Sequence, residues 1–284
     1  MADAAPARYG ASGRRWAGLS LERPRVMGVV NVTPDSFSDG GRYFDAGAAI
    51  AAGLGMAEAG ADIVDVGGDS TRPGSPPTAP DEERRRVVPV IRALSAGGVL
   101  VSIDTRHATT MEAALDAGAA IVNDVSALNH DARSASVVAA ARCPVVLMHM
   151  RGTPETMNAQ AVYTDVAVEV RDELAAHIAA AEAAGVAPEA IAVDPGIGFA
   201  KLARHSVELL RRLRDLSVLH RPVVVGVSRK SFLGRIAGEP EPQYRLAASL
   251  AAGLFALGQG AHVLRVHDVA ETVQALRVWQ ALNG

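Results

Sequence analysis

The sequence predicts an α/β fold, a (β/α)8 TIM barrel with a short N-terminal extension, and three observations carry that expectation. From Val26 onward, short apolar runs of strand length alternate with longer helix-like runs. The alternation makes eight strand-helix pairs with nothing left over, and each strand-like run ends at a residue capable of chemistry, as such a barrel demands of its strand exits. A chain of 284 residues suits one large α/β domain better than two small ones. A doubly wound open sheet is the alternative, but the glycine-rich phosphate fingerprint after its first strand is missing. Residues 1–25 read as a loosely attached N-terminal extension and 26–284 as the barrel domain.

The first strand, Val26–Val30, is a buried apolar run that stops abruptly at Asn31, and an alanine-rich helix follows near Ala46–Ala59. Next come Asp62–Val66 with a helix over Asp81–Ala96, Val99–Ile103 with Ala108–Ala117, and Ala120–Val122 with Ala132–Ala141. Val145–Met148 leads to a long helix over Asp165–Ala184, and Ile191–Val193 to one over Ser206–Leu216. The last pairs are Val223–Val227 with Arg245–Gly258 and Val263–Val266 with Val269–Leu282. Gly60, Gly97, Gly118, Gly185 and Gly260 stand where helices should end.

Nearly half the residues are apolar but few are aromatic, so the core must be built from Ala, Val, Leu and Ile. A net charge of −3 supplies no basic field and argues against nucleic acid as a partner. The single cysteine, Cys143, has no intramolecular disulfide partner, which suits a reducing cytoplasm. No apolar run is long enough to cross a bilayer, and residues 1–25, with Arg14, Arg15 and Trp16, lack the apolar centre of a signal peptide.

The strand exits carry Asn31, Asp65, Asp104, Asn123-Asp124, His149, Asp194, Ser228-Arg229-Lys230, and Arg265 with His267. One such residue would only cap a helix or tie down a loop; a full ring of them reads as a binding mouth. Arg265 and His267, two apart on a strand, face the same way. With the Asn31 amide they form a candidate phosphate or diphosphate pocket, against the competing reading of an internal pair of Arg265 with Asp268 or Asp35. Asp104, Asn123, Asp194 and Lys230 match the edge of a flat, nitrogen-rich heterocycle, since a carboxylate accepts two N–H bonds and an amide both donates and accepts. A buried Asp–Lys pair kept for stability is less attractive, because it seldom repays its desolvation. The loops Val32–Asp45 and Gly67–Pro80 are rich in Gly and Pro and read as lids that exclude water; in the first, two turn signals flank Phe37. No aspartate-rich cage or Cys/His nucleophile pairing stands out, His149 near Cys143 reads as a strand-end coincidence, and any metal would be a weakly held Mg²⁺ shared between Asn31 and substrate phosphates.

NVTPDSFSDGG at 31–41, DSTRPG at 69–74, SIDT at 102–105, NDVS at 123–126, MHMRGTPETM at 148–157, DPGIGF at 194–199, SRKSFLG at 228–234 and LRVHDV at 264–269 together resemble the dihydropteroate synthase family. The resemblance runs from about Arg25 to the C-terminus. It implies a cytoplasmic, Mg²⁺-assisted transferase of folate biosynthesis that joins 6-hydroxymethyl-7,8-dihydropterin diphosphate to p-aminobenzoate, a sulfonamide target, and a homodimer formed through the last helices. It also implies Asn31 as the Mg²⁺ and diphosphate contact and Arg265 and His267 as the anion pocket. Asp104, Asn123, Asp194 and Lys230 would hold the pterin, with Met148 on its face. Thr71 and Arg72 would belong to the second lid, and Phe37, Pro73, Phe199, Lys230 and Ser231 would surround p-aminobenzoate. Asp39, Arg72, Asp194 and Lys230 would be the catalytic set. Asp69 stands where the family usually has Glu, Ala200 and Leu202 replace the commoner Gly and Thr around Lys201, and Ser206 replaces a usual Asn. A pterin-binding methyltransferase would not need SRKSFLG with an anion-facing Arg-x-His, and a non-catalytic paralogue would have lost residues of the ring.

Overall fold

The computed structural model describes residues 13–33, 45–69, 78–154 and 156–283. A short antiparallel hairpin comes first, β1 (Arg15–Trp16) with β2 (Leu19–Ser20). Eight parallel strands follow: β3 (Arg25–Asn31), β4 (Ile63–Gly67), β5 (Val101–Asp104), β6 (Ile121–Asp124), β7 (Val145–Met148), β8 (Ile191–Asp194), β9 (Val224–Gly226) and β10 (Val263–Val266). Their lateral order is β8-β7-β6-β5-β4-β3-β10-β9. One parallel bridge, Val193 with Val223, joins β8 to β9 and completes the ring. The Val-rich runs of the sequence are continuous rather than alternating because these strands are buried on both faces.

The surrounding helices are α1 (Ala46–Glu58), α2 (Pro80–Ala96), α3 (Ala108–Asp116), α4 (Ser134–Ala141), α5 (Val166–Ala183), α6 (Ala203–Arg211), α7 (Ser231–Ala237), α8 (Leu246–Gly258) and α9 (Val269–Asn283). Small residues let α1 lie close to its neighbours: a Cβ on Gly53 would fall 2.8 Å from the Leu94 side chain of α2. The expected helix ends hold at Gly60, Gly118, Gly185 and Gly260, all left-handed. Gly97 does not take that role; its φ is −78° and the next residue, Gly98, turns the chain at φ +77°.

Three readings need correction. Residues 13–25 are not loosely attached. Trp16 is 2% and Leu21 4% exposed, and they pack beneath the barrel with Met27, Ile63, Ile121, Val146, Ala192, Val224 and Val263. The Trp16 indole donates to the Ala190 carbonyl at 2.8 Å, and Arg25 pairs with Asp62 at 2.8 Å; the hairpin is the floor of the barrel. The helix expected over Ser206–Leu216 is two pieces, α6 and a 3-10 segment over Leu213–Leu219. They part at Arg212, which leaves helical geometry and donates to Asp165 at 2.9 Å. Finally, α7 precedes α8 in the seventh unit; at seven residues, ended by Gly238 at φ +70°, it is too short to show periodicity.

Inside the barrel, the two-residue period of the strands sorts side chains into levels. Asn31, Gly67, Asp104 and Asn123 pair in register across β3, β4, β5 and β6. Met148 stands level with Asp194 and Arg265 with Gly226. The polar residues at the strand exits therefore share one interior mouth.

Candidate active site at the barrel mouth

Arg265 on β10 crosses the mouth. Its Nε donates to Asp65 Oδ2 at 2.7 Å and its Nη2 to Asp104 Oδ2 at 2.6 Å. Asn123 Nδ2 donates to the same Asp65 oxygen at 3.0 Å, which leaves the Asn123 carbonyl oxygen to accept elsewhere. Asp65, fully buried, thus orients an amide and a guanidinium together. Sequence reasoning placed Asp65 in the ring but gave it no role, because only the closed barrel brings Arg265, 200 residues away, onto it. Asp65 Oδ1 and Ser102 Oγ, which stand at register-paired positions, are buried and have no hydrogen-bond partner among the described residues.

On the opposite side, Asp194 Oδ1 accepts from the Gly196 N–H at 2.7 Å. Lys230 donates to the Ile197 carbonyl, and its Nζ lies 4.6 Å from the centre of the Phe199 ring. A Cβ at Gly226 would stand 3.8 Å from Arg265 Cβ and 4.0 Å from Lys230 Nζ, so this glycine leaves the space between the two cations clear.

Burial sets the protonation of the group. Desolvation pushes Asp104 up to about 7; Arg265 opposes that, while Asp65, Glu83 and Asp124 reinforce it. Desolvation also raises Asp194 against the pull of Lys230 and the Gly196 amide. Lys230 is brought down to about 8 by burial, opposed by Asp194 and helped by the Arg265 cation. Burial works against the Arg265 charge, yet Asp65 and Asp104 outweigh it and its pKa is raised. At neutral pH the mouth therefore combines a fixed guanidinium with carboxylates and an amine poised to exchange protons or hydrogen bonds with a ligand.

Several expectations change. The internal pair of Arg265 is with Asp65 and Asp104; Asp268 instead accepts from Arg229 Nε at 3.0 Å. The anion group and the heterocycle group are therefore joined by Arg265 rather than separate. His267 Nδ1 lies 3.0 Å from Ser228 Oγ, which also accepts from the His267 N–H at 3.2 Å. Asp124 faces away from the mouth and folds the following turn, accepting from Ser126 N at 2.7 Å and Leu128 N at 3.0 Å. Met148 is buried at the end of β7, and Ser231 is the exposed first residue of α7. His149 is fully buried between Glu173 of α5 and Lys201, at 2.9 Å from each. The sequence separations of 24 and 52 residues hid this cluster. Asp35, Phe37, Asp39, Thr71, Arg72 and Pro73 lie outside the described residues.

Asn31, half-buried at the end of β3, offers one neutral amide oxygen. Among the described residues no three His, Cys, Asp or Glu side chains group closely enough to hold a metal. That donor set fits a Mg²⁺ that brings its own waters and substrate phosphate oxygens, and does not fit a resident all-protein metal site.

Such a mouth, two carboxylates and an amide facing an amine with a guanidinium crossing between them, defines a binder of hydrogen-bonding heterocycles, and the comparisons agree. The sequence profile described as pterin binding enzyme matches residues 27–267. The dihydropteroate synthase of Escherichia coli K12 is 43% identical over 264 residues, covering 93% of each chain. Two solved structures of Xanthomonas albilineans dihydropteroate synthase superpose closely. The one with 4-aminobenzoic acid has a TM-score of 0.89, 49% identity, and coverage of 94% of this chain and 97% of that one. The other, in complex with 7,8-dihydropteroate, has a TM-score of 0.85, 46% identity, and coverage of 94% and 96%. The chain belongs to the pterin-binding enzymes and, within them, to the dihydropteroate synthase family.

Proposed function

We infer that this chain condenses 6-hydroxymethyl-7,8-dihydropterin diphosphate with p-aminobenzoate, giving 7,8-dihydropteroate and diphosphate in folate biosynthesis. The observation that carries the reading is the convergence of Asp104, Asn123, Asp194, Lys230 and Arg265 on one interior mouth. Asp194 accepts N–H bonds from the pterin edge, and Asn123, its amide nitrogen held by Asp65, presents its carbonyl to the ring. Asp104 accepts as well, and ligand N–H groups draw it into the ionised state. Lys230 closes the opposite edge and Met148 packs on the face of the ring. Asp65 Oδ1 and Ser102 Oγ, buried and without a partner among the described residues, support a ligand rich in donors at this depth.

Diphosphate leaves from the pterin methylene with the C–O electron pair, toward Arg265, His267 and Asn31. Asn31 would hold a Mg²⁺ ion there, which when bound would supply charge neutralisation to those oxygens. The arylamine nitrogen attacks the methylene, a C–N bond forms and the nitrogen sheds one proton. We assign Asp39 to the developing positive charge, Thr71 and Arg72 to the second lid, and Phe37, Pro73, Phe199, Lys230 and Ser231 to the p-aminobenzoate side of the reaction. The protein contributes positioning and electrostatics rather than a covalent intermediate. We further propose a cytoplasmic homodimer. Phe255 on α8 and Val278 and Leu282 on α9 are 45%, 60% and 80% exposed, which supports a partner across these helices.

Incubation of the protein with both substrates and Mg²⁺ should release one diphosphate per dihydropteroate formed. Absence of both products at saturating substrate would overturn the reading. Sedimentation analysis should give twice the monomer mass; a monomer at micromolar concentration would remove the dimer.

A further inference from the structure

We propose that Lys201 is a positioning residue for the arylamine side of the site: it staples the sixth loop to His149, and so sets where the Phe199 ring stands. The proposal rests on the reading of Phe199 as a wall of the p-aminobenzoate pocket.

The loop from Asp194 to Lys201 is tightly wound. Gly196, Gly198 and Ala200 are left-handed at φ +64°, +84° and +48°, so alternate residues turn back on themselves. The two carbonyls between them are both taken by lysines: Lys230 donates to the Ile197 oxygen and Lys201 to the Phe199 oxygen at 3.0 Å. Phe199 sits between the two staples, its carbonyl held by one lysine and its ring 4.6 Å from the ammonium of the other. Ala200 carries a side chain in a left-handed conformation that L-residues disfavour, so something must hold the loop wound. The loop also lies directly on the exit of β7, since a Cβ at Gly196 would fall 1.9 Å from the His149 carbonyl oxygen.

Lys201 is nearly buried and anchored from behind. Its Nζ is 2.9 Å from His149 Nδ1, and His149 Nε2 is 2.9 Å from Glu173 Oε2. Glu173 in turn accepts from Arg151 Nε at 3.0 Å. A carboxylate only accepts, so the His149 proton lies on Nε2, and the lone pair of Nδ1 accepts from Lys201. The chain of donors from Arg151 and from Lys201 through His149 thus meets at Glu173, and α5 fixes the position of a loop on the far side of β7. Burial keeps His149 neutral, its pKa drawn down to about 4, which preserves the acceptor.

The test is a kinetic double-mutant cycle. Lys201→Met keeps length and removes the donors. It should raise the KM for p-aminobenzoate roughly 10-fold or more while the KM for the pterin diphosphate moves less than about 2-fold. Phe199→Ala should give the same split, and the double variant should be no worse than Phe199→Ala alone. Additive losses, or a fall in kcat or Tm with both KM values unchanged, overturn the proposal and leave Lys201 a purely structural residue. If Phe199→Ala leaves the p-aminobenzoate KM untouched, the reading of Phe199 fails and the proposal with it; if Phe199→Ala raises it and Lys201→Met does not, only the proposal fails. His149→Phe keeps the ring volume and removes the acceptor. It should reproduce the Lys201→Met split in weaker form, and it decides the question if Lys201→Met does not fold.

Discussion

The floor and the mouth of the barrel are built by the same strands, two residues apart, and they could hardly differ more. On β4 the interior residue changes from Ile63 to Asp65, on β6 from Ile121 to Asn123, on β8 from Ala192 to Asp194 and on β10 from Val263 to Arg265. In each case a single step along one face replaces a methyl-lined floor by a charged or amide-bearing mouth. The floor is closed by an indole from the hairpin, and it excludes water from beneath the ionic layer. Stability and chemistry are thereby assigned to opposite ends of a barrel only a few residues deep.

The division can be broken first at the mouth. Asp194→Ala and Lys230→Ala should each lower turnover by several orders of magnitude, because a positioned charge contact at such a site is worth roughly 2–5 kcal/mol, and more where both ends of a ligand depend on it. Melting temperatures within a few degrees of the parent should accompany the loss; collapse of the fold would put Asp194 and Lys230 in the structural half.

The floor should give the converse. Trp16→Ala removes the largest side chain beneath the barrel and should cost about 3–5 kcal/mol in urea unfolding, with both KM values unchanged below the melting transition. A large change in KM would mean that the two ends are not separable.

A neighbouring pair sharpens the contrast at one end alone. Asp124→Ala should cost about 1–3 kcal/mol through the turn it holds and leave both KM values alone. Asn123→Ala should raise the KM for the pterin substrate with little loss of stability. Identical phenotypes would erase the distinction between inward and outward residues of β6.

The smallest effect is in pH. Asp104 has a folded pKa raised to about 7, far above that of an unfolded carboxylate. The native state therefore binds more protons than the unfolded chain between about pH 4 and 7, and its contribution to stability is full below that window and lost as pH rises through 7. Ligand binding runs the other way. A pterin that donates to Asp104 needs the carboxylate, so affinity should fall below pH 7 by at most about tenfold per pH unit, with proton release on binding. Calorimetry in buffers of different ionisation enthalpy measures that release, and a proton count of zero at pH 6.5 would exclude Asp104 from the contact.

The fold was legible because eight buried parallel strands leave apolar runs that helical periodicity does not, and Val145–Met148 and Val263–Val266 match the expected bounds. The mouth was legible at Asp104, Asn123, Asp194, Lys230 and Arg265 because the fold class says where to look. The floor was not. Trp16 lies in a stretch with polar neighbours, and its burial depends on Ala190, 174 residues away. The staple of Lys201 was hidden for a similar reason: α5, the exit of β7 and the sixth loop meet only when the strands stand side by side. Asp65 could be seen as a strand residue, but its two partners come from β6 and β10 and declare its role only in three dimensions.

The bridge between Val193 and Val223 is a seam. Every other pair of adjacent strands shares at least three residue pairs in register, whereas β8 and β9 meet at one. Asp194 stands immediately above that seam on one side, and Lys230, three residues beyond Val227, overhangs it from the other. A pterin gripped by both residues, as proposed, would act as a rivet across the weakest hoop of the barrel. Occupancy of the site should therefore slow amide exchange at Val193, whose N–H bonds to Pro222 across the seam at 2.9 Å, more than at strands on the opposite wall. The substrate would, in this sense, be the last stave that tightens the barrel.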